Sequence, residues 1–67
     1  MEIMVNGKKE VIDENEITIM DFLELKDQDP KTVVVEYNGK IVDRKNWSEI
    51  IINENDVLEI LKFVGGG

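Results

Sequence analysis

Apolar and polar residues alternate with period two over Glu2-Ile3-Met4-Val5, and after Asn6-Gly7 the extended pattern resumes in Lys8-Lys9-Glu10-Val11-Ile12. Asn-Gly between two such runs is a strong hairpin signal, so a β-hairpin is predicted to open the chain. A two-residue loop would set Ile3 opposite Glu10, whereas one extra loop residue sets Ile3 opposite Val11 and Val5 opposite Lys9. Register follows the buried face. The longer loop is therefore expected, with Ile3, Val5 and Val11 facing the core and Met4 facing outward.

The period then changes. Thr18 is placed as an N-cap, Asp21 can answer its backbone N–H as in a capping box, and Ile17 and Phe22 bracket the cap as a hydrophobic staple. Ile19, Phe22 and Leu23 fall on one helical face, so one short amphipathic helix is predicted, ending before Pro30. Asp27 and Asp29 have the beginnings of a calcium loop, but no glycine or closing glutamate follows at the required positions, and no metal site is expected.

Thr32 to Tyr37 is rich in β-branched residues and reads as a strand with Val33, Val35 and Tyr37 inward and Val34 and Glu36 outward. A second Asn-Gly, at Asn38-Gly39, turns the chain into Lys40-Ile41-Val42. Arg44 to Glu49 lacks strand alternation and is expected as a turn or short helix, with Trp47 closing one end of the core. Asn53 to Asp56 is a polar turn. Val57 to Phe63 is the last strand, with Leu58 and Ile60 inward and Leu61 and Phe63 outward. Two hairpin-like units flanking one helix are most economically an α+β sheet with the helix on one face.

Composition narrows the chemistry. A chain of 67 residues has room for one domain, and it contains no cysteine and no histidine. Disulfides, thiol nucleophiles, imidazole bases and the usual zinc sites are thereby excluded. Ser48 has no histidine to activate it, and the glycines of the tail are followed by no Lys-Ser/Thr, so neither a catalytic triad nor a P-loop is present. Fifteen acidic against eight basic residues give a formal charge of -7. That balance disfavours nucleic acid and anionic lipid and suits a partner with a basic surface. Neither a basic-then-apolar leader nor an apolar run of about 20 residues is present, so a cytoplasmic protein with no membrane partner is expected.

The remaining feature is the end of the sequence, Phe63-Val64-Gly65-Gly66-Gly67. A strand that runs into three glycines leaves a terminal carboxylate on a tether that can lie in a slot too narrow for side chains. The division expected is a folded domain over residues 1–64 and a tail over 65–67. Taken alone, such a tail can equally be a frayed end.

Placed after this order of elements, several segments carry a resemblance: Tyr37-Asn38-Gly39-Lys40-Ile41-Val42, then Arg44-Lys45-Asn46-Trp47, then Asn55-Asp56 before the last strand, and the closing Gly66-Gly67. The chain resembles the ubiquitin-like β-grasp sulfur carriers, and among them the ThiS family of thiamine biosynthesis. Asp43 departs from the proline that family members often carry before the arginine. The resemblance implies that the Gly67 carboxylate is adenylated with ATP by a separate E1-like adenylyltransferase and becomes a thiocarboxylate with sulfur from a donor protein. The sulfur then passes to thiazole synthase. Gly65 and Gly66 would thread the tail into the partner, and the carrier is expected as a monomer that binds no cofactor itself. The molybdopterin-synthase small subunit shares this fold and ending, and a ubiquitin-like interaction module without sulfur chemistry is the other alternative. In a β-grasp sheet the last strand lies between the first and the third. Met4, Val34, Leu61 and Phe63 are therefore expected to form one exposed apolar patch leading to the tail, where the activating enzyme and the sulfur acceptor dock.

Overall fold

Five strands form one sheet in the order β2-β1-β5-β3-β4. They are β1 (Glu2–Val5), β2 (Lys8–Val11), β3 (Val33–Tyr37), β4 (Lys40–Val42) and β5 (Val57–Lys62), and the helix α1 spans Ile19–Leu25. The structure is a computed structural model that describes residues 1–63. β1 and β5 are parallel, and every other neighbouring pair is antiparallel. This is the expected α+β, β-grasp arrangement, with the last described strand at the centre of the sheet.

The inner face of the sheet and the apolar face of α1 share one core. Ile3, Val5, Val33, Val35 and Leu58 from the strands pack with Ile19, Phe22 and Leu23 from the helix. Trp47 closes one end at 2% exposure, and its indole Nε1 donates to the Val42 carbonyl at 3.1 Å. A buried indole needs such an acceptor, and the last residue of β4 supplies it.

The short helix is fixed at both ends. The Thr18 hydroxyl accepts from the Asp21 N–H at 3.0 Å and the Asp21 carboxylate accepts from the Thr18 N–H at 3.2 Å, which completes the predicted capping box. Two further N-terminal N–H groups, of Ile19 and Met20, donate to the carbonyls of Ile50 and Trp47. The first turn is thus left with no orphan donor. At the other end Gln28 N–H reaches the Leu23 carbonyl and Asp27 N–H the Glu24 carbonyl, with Asp27 at φ 56. That is a Schellman closure with aspartate at the left-handed position usually taken by glycine. Asp29 in turn caps the 3₁₀ turn Pro30–Thr32. The two aspartates that suggested a calcium loop sit where the chain reverses.

The expected hairpin register is not the one adopted. Ile3 pairs with Glu10 and Val5 with Lys8, so the loop is the two-residue Asn6-Gly7. Both residues have positive φ, 51 and 81, as a type I′ turn requires. Val11 consequently pairs with Glu2 on the outer face and is 71% exposed, not core. Ile12 takes its place inside at 4% exposure, held by a two-way bond between its backbone and that of Met1. Turn chemistry decided the register, and the core was filled one residue later. Glu10, left on the helix side of the edge strand, meets Lys26 at 2.8 Å.

Candidate functional site

β5 leads to the end of the chain, and its neighbours grip it from both sides. The Met4 and Asn6 N–H groups donate to the Asp56 and Leu58 carbonyls, while the Phe63 N–H donates to the Thr32 carbonyl at 3.1 Å. Two side chains add to this ladder. The Asn6 carboxamide accepts from the Ile60 N–H at 2.7 Å and donates to the Ile60 carbonyl at 3.3 Å. The Asn38 carboxamide accepts from the Val57 N–H at 2.8 Å and donates to Asp56 at 3.1 Å. Each Asn-Gly turn therefore sends its asparagine across to β5, Asn38 to its first residue and Asn6 to Ile60 farther along. In the sequence Asn6 and Asn38 are legible only as turn residues.

A polar cluster anchors the start of β5. The Tyr37 hydroxyl donates to the Asp56 carboxylate, which also accepts from the Asn53 N–H at 2.7 Å. Burial, then the Asp56 hydrogen bond and charge, push the Tyr37 hydroxyl up to about 12 from its usual 10.0. For Asp56, burial works toward a higher value, but the hydrogen bonds from Tyr37, Asn53 and Asn38 outweigh it and hold the carboxyl below its usual 3.8. The pair locks two turns together.

Leu58 is fully buried and Ile60 partly so, both on the helix side, as parity predicts. On the opposite face Leu61 is 53% exposed and lies directly against Val34. Phe63, 51% exposed, follows one residue after the strand ends. Val34, Leu61 and Phe63 therefore stand together at the tail end of β5. Met4 does not join them. It pairs with Val57, four residues back along β5, and at about 3.3 Å per residue that is roughly 13 Å from Leu61. Between the two apolar groups Glu59 lies opposite Glu36. The patch expected to be continuous is thus divided by a carboxylate pair. Met4 stands apart because β1 runs parallel to β5 and meets only its first residues.

Gly65, Gly66 and Gly67 lie outside the described residues, as does Val64, so the expected division at residue 64 falls there too. Among the described residues no group of acidic side chains is arranged to hold a metal, and no helix is long and apolar enough to cross a membrane.

A model of the ThiS family matches residues 2–67. This chain belongs to the ThiS family. The sulfur carrier protein ThiS of Bacillus subtilis is 35% identical to this ThiS-family chain over 65 residues, covering 97% of it and 98% of the Bacillus protein. A thiazole synthase of Paramagnetospirillum magneticum is 31% identical over 67 residues, 100% of this chain but 20% of that protein. Among solved structures, the crystal structure of the thiamine biosynthesis protein ThiS from Geobacter metallireducens superposes with a TM-score of 0.86 at 32% identity, covering 100% of both chains. The ThiS match takes in the three glycines as well as the sheet.

Proposed function

We propose that this chain is a sulfur carrier of thiamine biosynthesis and a protein co-substrate, not itself an enzyme. The observation that carries the reading is that the ThiS match runs unbroken through the folded domain into Gly65-Gly66-Gly67. A terminal carboxylate, with an ordinary pKa of about 3.5, is an anion at neutral pH and a poor electrophile. Activation must come from outside, because the chain has no histidine or cysteine with which to begin acyl chemistry. In the proposed sequence an E1-like adenylyltransferase joins the Gly67 carboxylate to the AMP of ATP, releasing pyrophosphate. The outer sulfur of a persulfide on a donor protein then attacks the acyl carbon and AMP leaves. A thiol cleaves the resulting acyl disulfide, forming a disulfide with the donor cysteine and freeing the C-terminal thiocarboxylate, whose sulfur passes to thiazole synthase. The chain aligns end to end with a fifth of a thiazole synthase, which supports that acceptor over a molybdopterin one.

Gly65 and Gly66 are the residues that would thread the tail through the partner. Val34, Leu61 and Phe63 form the docking surface beside it, with Met4 and Val57 as a second apolar contact. The test is to incubate the protein with the adenylyltransferase, ATP and a sulfur source, and to capture the product with a thiocarboxylate-specific reagent. A single modified site at Gly67, lost on deletion of Gly67, supports the reading. Failure to form acyl-adenylate or thiocarboxylate while the chain remains folded rejects it. A mass change alone does not suffice, because oxidation of Met1, Met4 or Met20 adds an oxygen and raises the mass by almost the same amount as replacing oxygen with sulfur.

A further inference from the structure

We propose that the outer face of the sheet is built to receive an arginine of thiazole synthase, held between Glu36 and Glu59. This inference rests on the docking role given to that face above and names the partner chemistry it selects. The two glutamates are direct cross-strand partners on β3 and β5. Like charges placed opposite one another destabilise a sheet, and a glutamate–lysine pair here would have helped the isolated fold. Among the described residues neither glutamate has a salt-bridge partner. On this face β2 offers Lys9, which lies 3.7 Å from Glu2 on the far side of β1.

The surroundings of the pair are apolar. Ile41, the β4 partner of Glu36, is 71% exposed, Leu61 is 53% exposed on one side and Val57 44% on the other, with Val34 and Met4 beyond them. Surface hydrophobes are ordinary singly, but here they ring two uncompensated carboxylates at the centre of one sheet face. Covering the ring with protein would desolvate both charges, which is tolerable only if the incoming surface brings a cation to them. Two carboxylates side by side, with Cβ atoms about 5 Å apart, match the planar fork of a guanidinium better than the point charge of an ammonium. The pair is thereby a selector: an apolar surface without the cation is rejected, and one carrying it is held in register with the tail end of β5.

The arrangement makes two readouts move in opposite directions. In Glu59→Gln and Glu36→Gln the repulsion is relieved, so each variant should melt at the wild-type temperature or a few degrees above it. Each should nevertheless bind the thiazole synthase of the same organism about tenfold more weakly, and the wild-type affinity should fall toward that of the variants as salt is raised. Calorimetric titration against purified thiazole synthase measures the affinity, and thermal unfolding of the free variants measures stability. Leu61→Asp, titrated in parallel, separates the two levels of argument. If Leu61→Asp loses binding while both glutamine variants bind within about twofold of wild type, the arginine seat is wrong and the docking face stands. Wild-type binding by Leu61→Asp removes the docking face itself. A glutamine variant that binds weakly because its melting temperature has dropped also overturns the proposal.

Discussion

The side chain of Asn6 and the backbone of Ile60 are hydrogen-bonded in both directions, at 2.7 and 3.3 Å, so the first turn of the chain clamps its last described strand. The left-handed conformation of Asn6 serves the type I′ turn, and its carboxamide serves β5. Asn6→Gly keeps the first role and removes the second. It should cost about 1–2 kcal/mol, the worth of two partly exposed hydrogen bonds, measured by urea unfolding. Hydrogen exchange at the Ile60 amide should accelerate more than at amides of α1. An unchanged midpoint would show that solvent replaces the clamp without loss.

Within β5 the two faces should respond very differently. Leu58 is fully buried, and Leu58→Ala should lose about 2–5 kcal/mol, enough to threaten folding in a domain this small. Leu61→Ala, on the exposed face, should lose less than about 0.5 kcal/mol. Ile60, only partly buried, should fall between them. Chemical denaturation of the three variants checks the order.

The hairpin register can be tested in the same way. Ile12→Ala should cost about 2–5 kcal/mol because Ile12 occupies the core position, whereas Val11→Thr should be nearly neutral at 71% exposure. The reverse order would restore the longer loop.

Tyr37 and Asp56 give the fold a pH signature at both extremes. The folded Tyr37 hydroxyl holds its proton up to about 12 against an ordinary 10.0, so its stabilising contribution is complete below pH 10 and is lost as pH rises toward 12. Asp56 is shifted below 3.8, so its contribution is present above that pH and is lost as pH falls through the lower folded value. Tyr37→Phe should be less stable at neutral pH and flatter in the alkaline limb. Asp56→Asn should be flatter in the acid limb. Unfolding midpoints across pH measure both, and because Tyr37 is the sole tyrosine its ionisation can also be followed by ultraviolet absorbance.

Much of the fold was legible because local signals agreed with the global arrangement. Thr18 and Asp21 marked the helix start, Val33 and Val35 the core face of β3, and Trp47 the end of the core, and each is where its chemistry placed it. The hairpin failed at Val11 because two rules competed. Burying a valine argued for a longer loop, and Asn6-Gly7 argued for the short one that the structure adopts. The candidate site was legible in part. Alternation along β5 located Leu61 and Phe63, but the division of the outer face depends on pairing between distant strands. Alternation alone makes Glu36 and Glu59 ordinary solvent-facing residues. The register that sets Val34 against Leu61 also sets the two glutamates against each other, and that register is a tertiary fact. The roles of the Asn6 and Asn38 side chains are hidden for the same reason, since both act across more than a dozen residues of sequence.

The central place of β5 has a consequence for how the protein is made. The sheet has β1 and β3 on either side of a gap that only β5 can fill, and β5 is the last described strand to be synthesised. Pairing of the first strand with the last carries a large loop-closure cost and is slow to form. Without β5 the two half-sheets have no common strand and the core lacks Leu58. In the proposed role, the glycines that carry the sulfur follow directly in sequence upon the segment that completes the core. An activating enzyme that recognises the finished sheet face would thereby spend ATP only on chains that have finished folding.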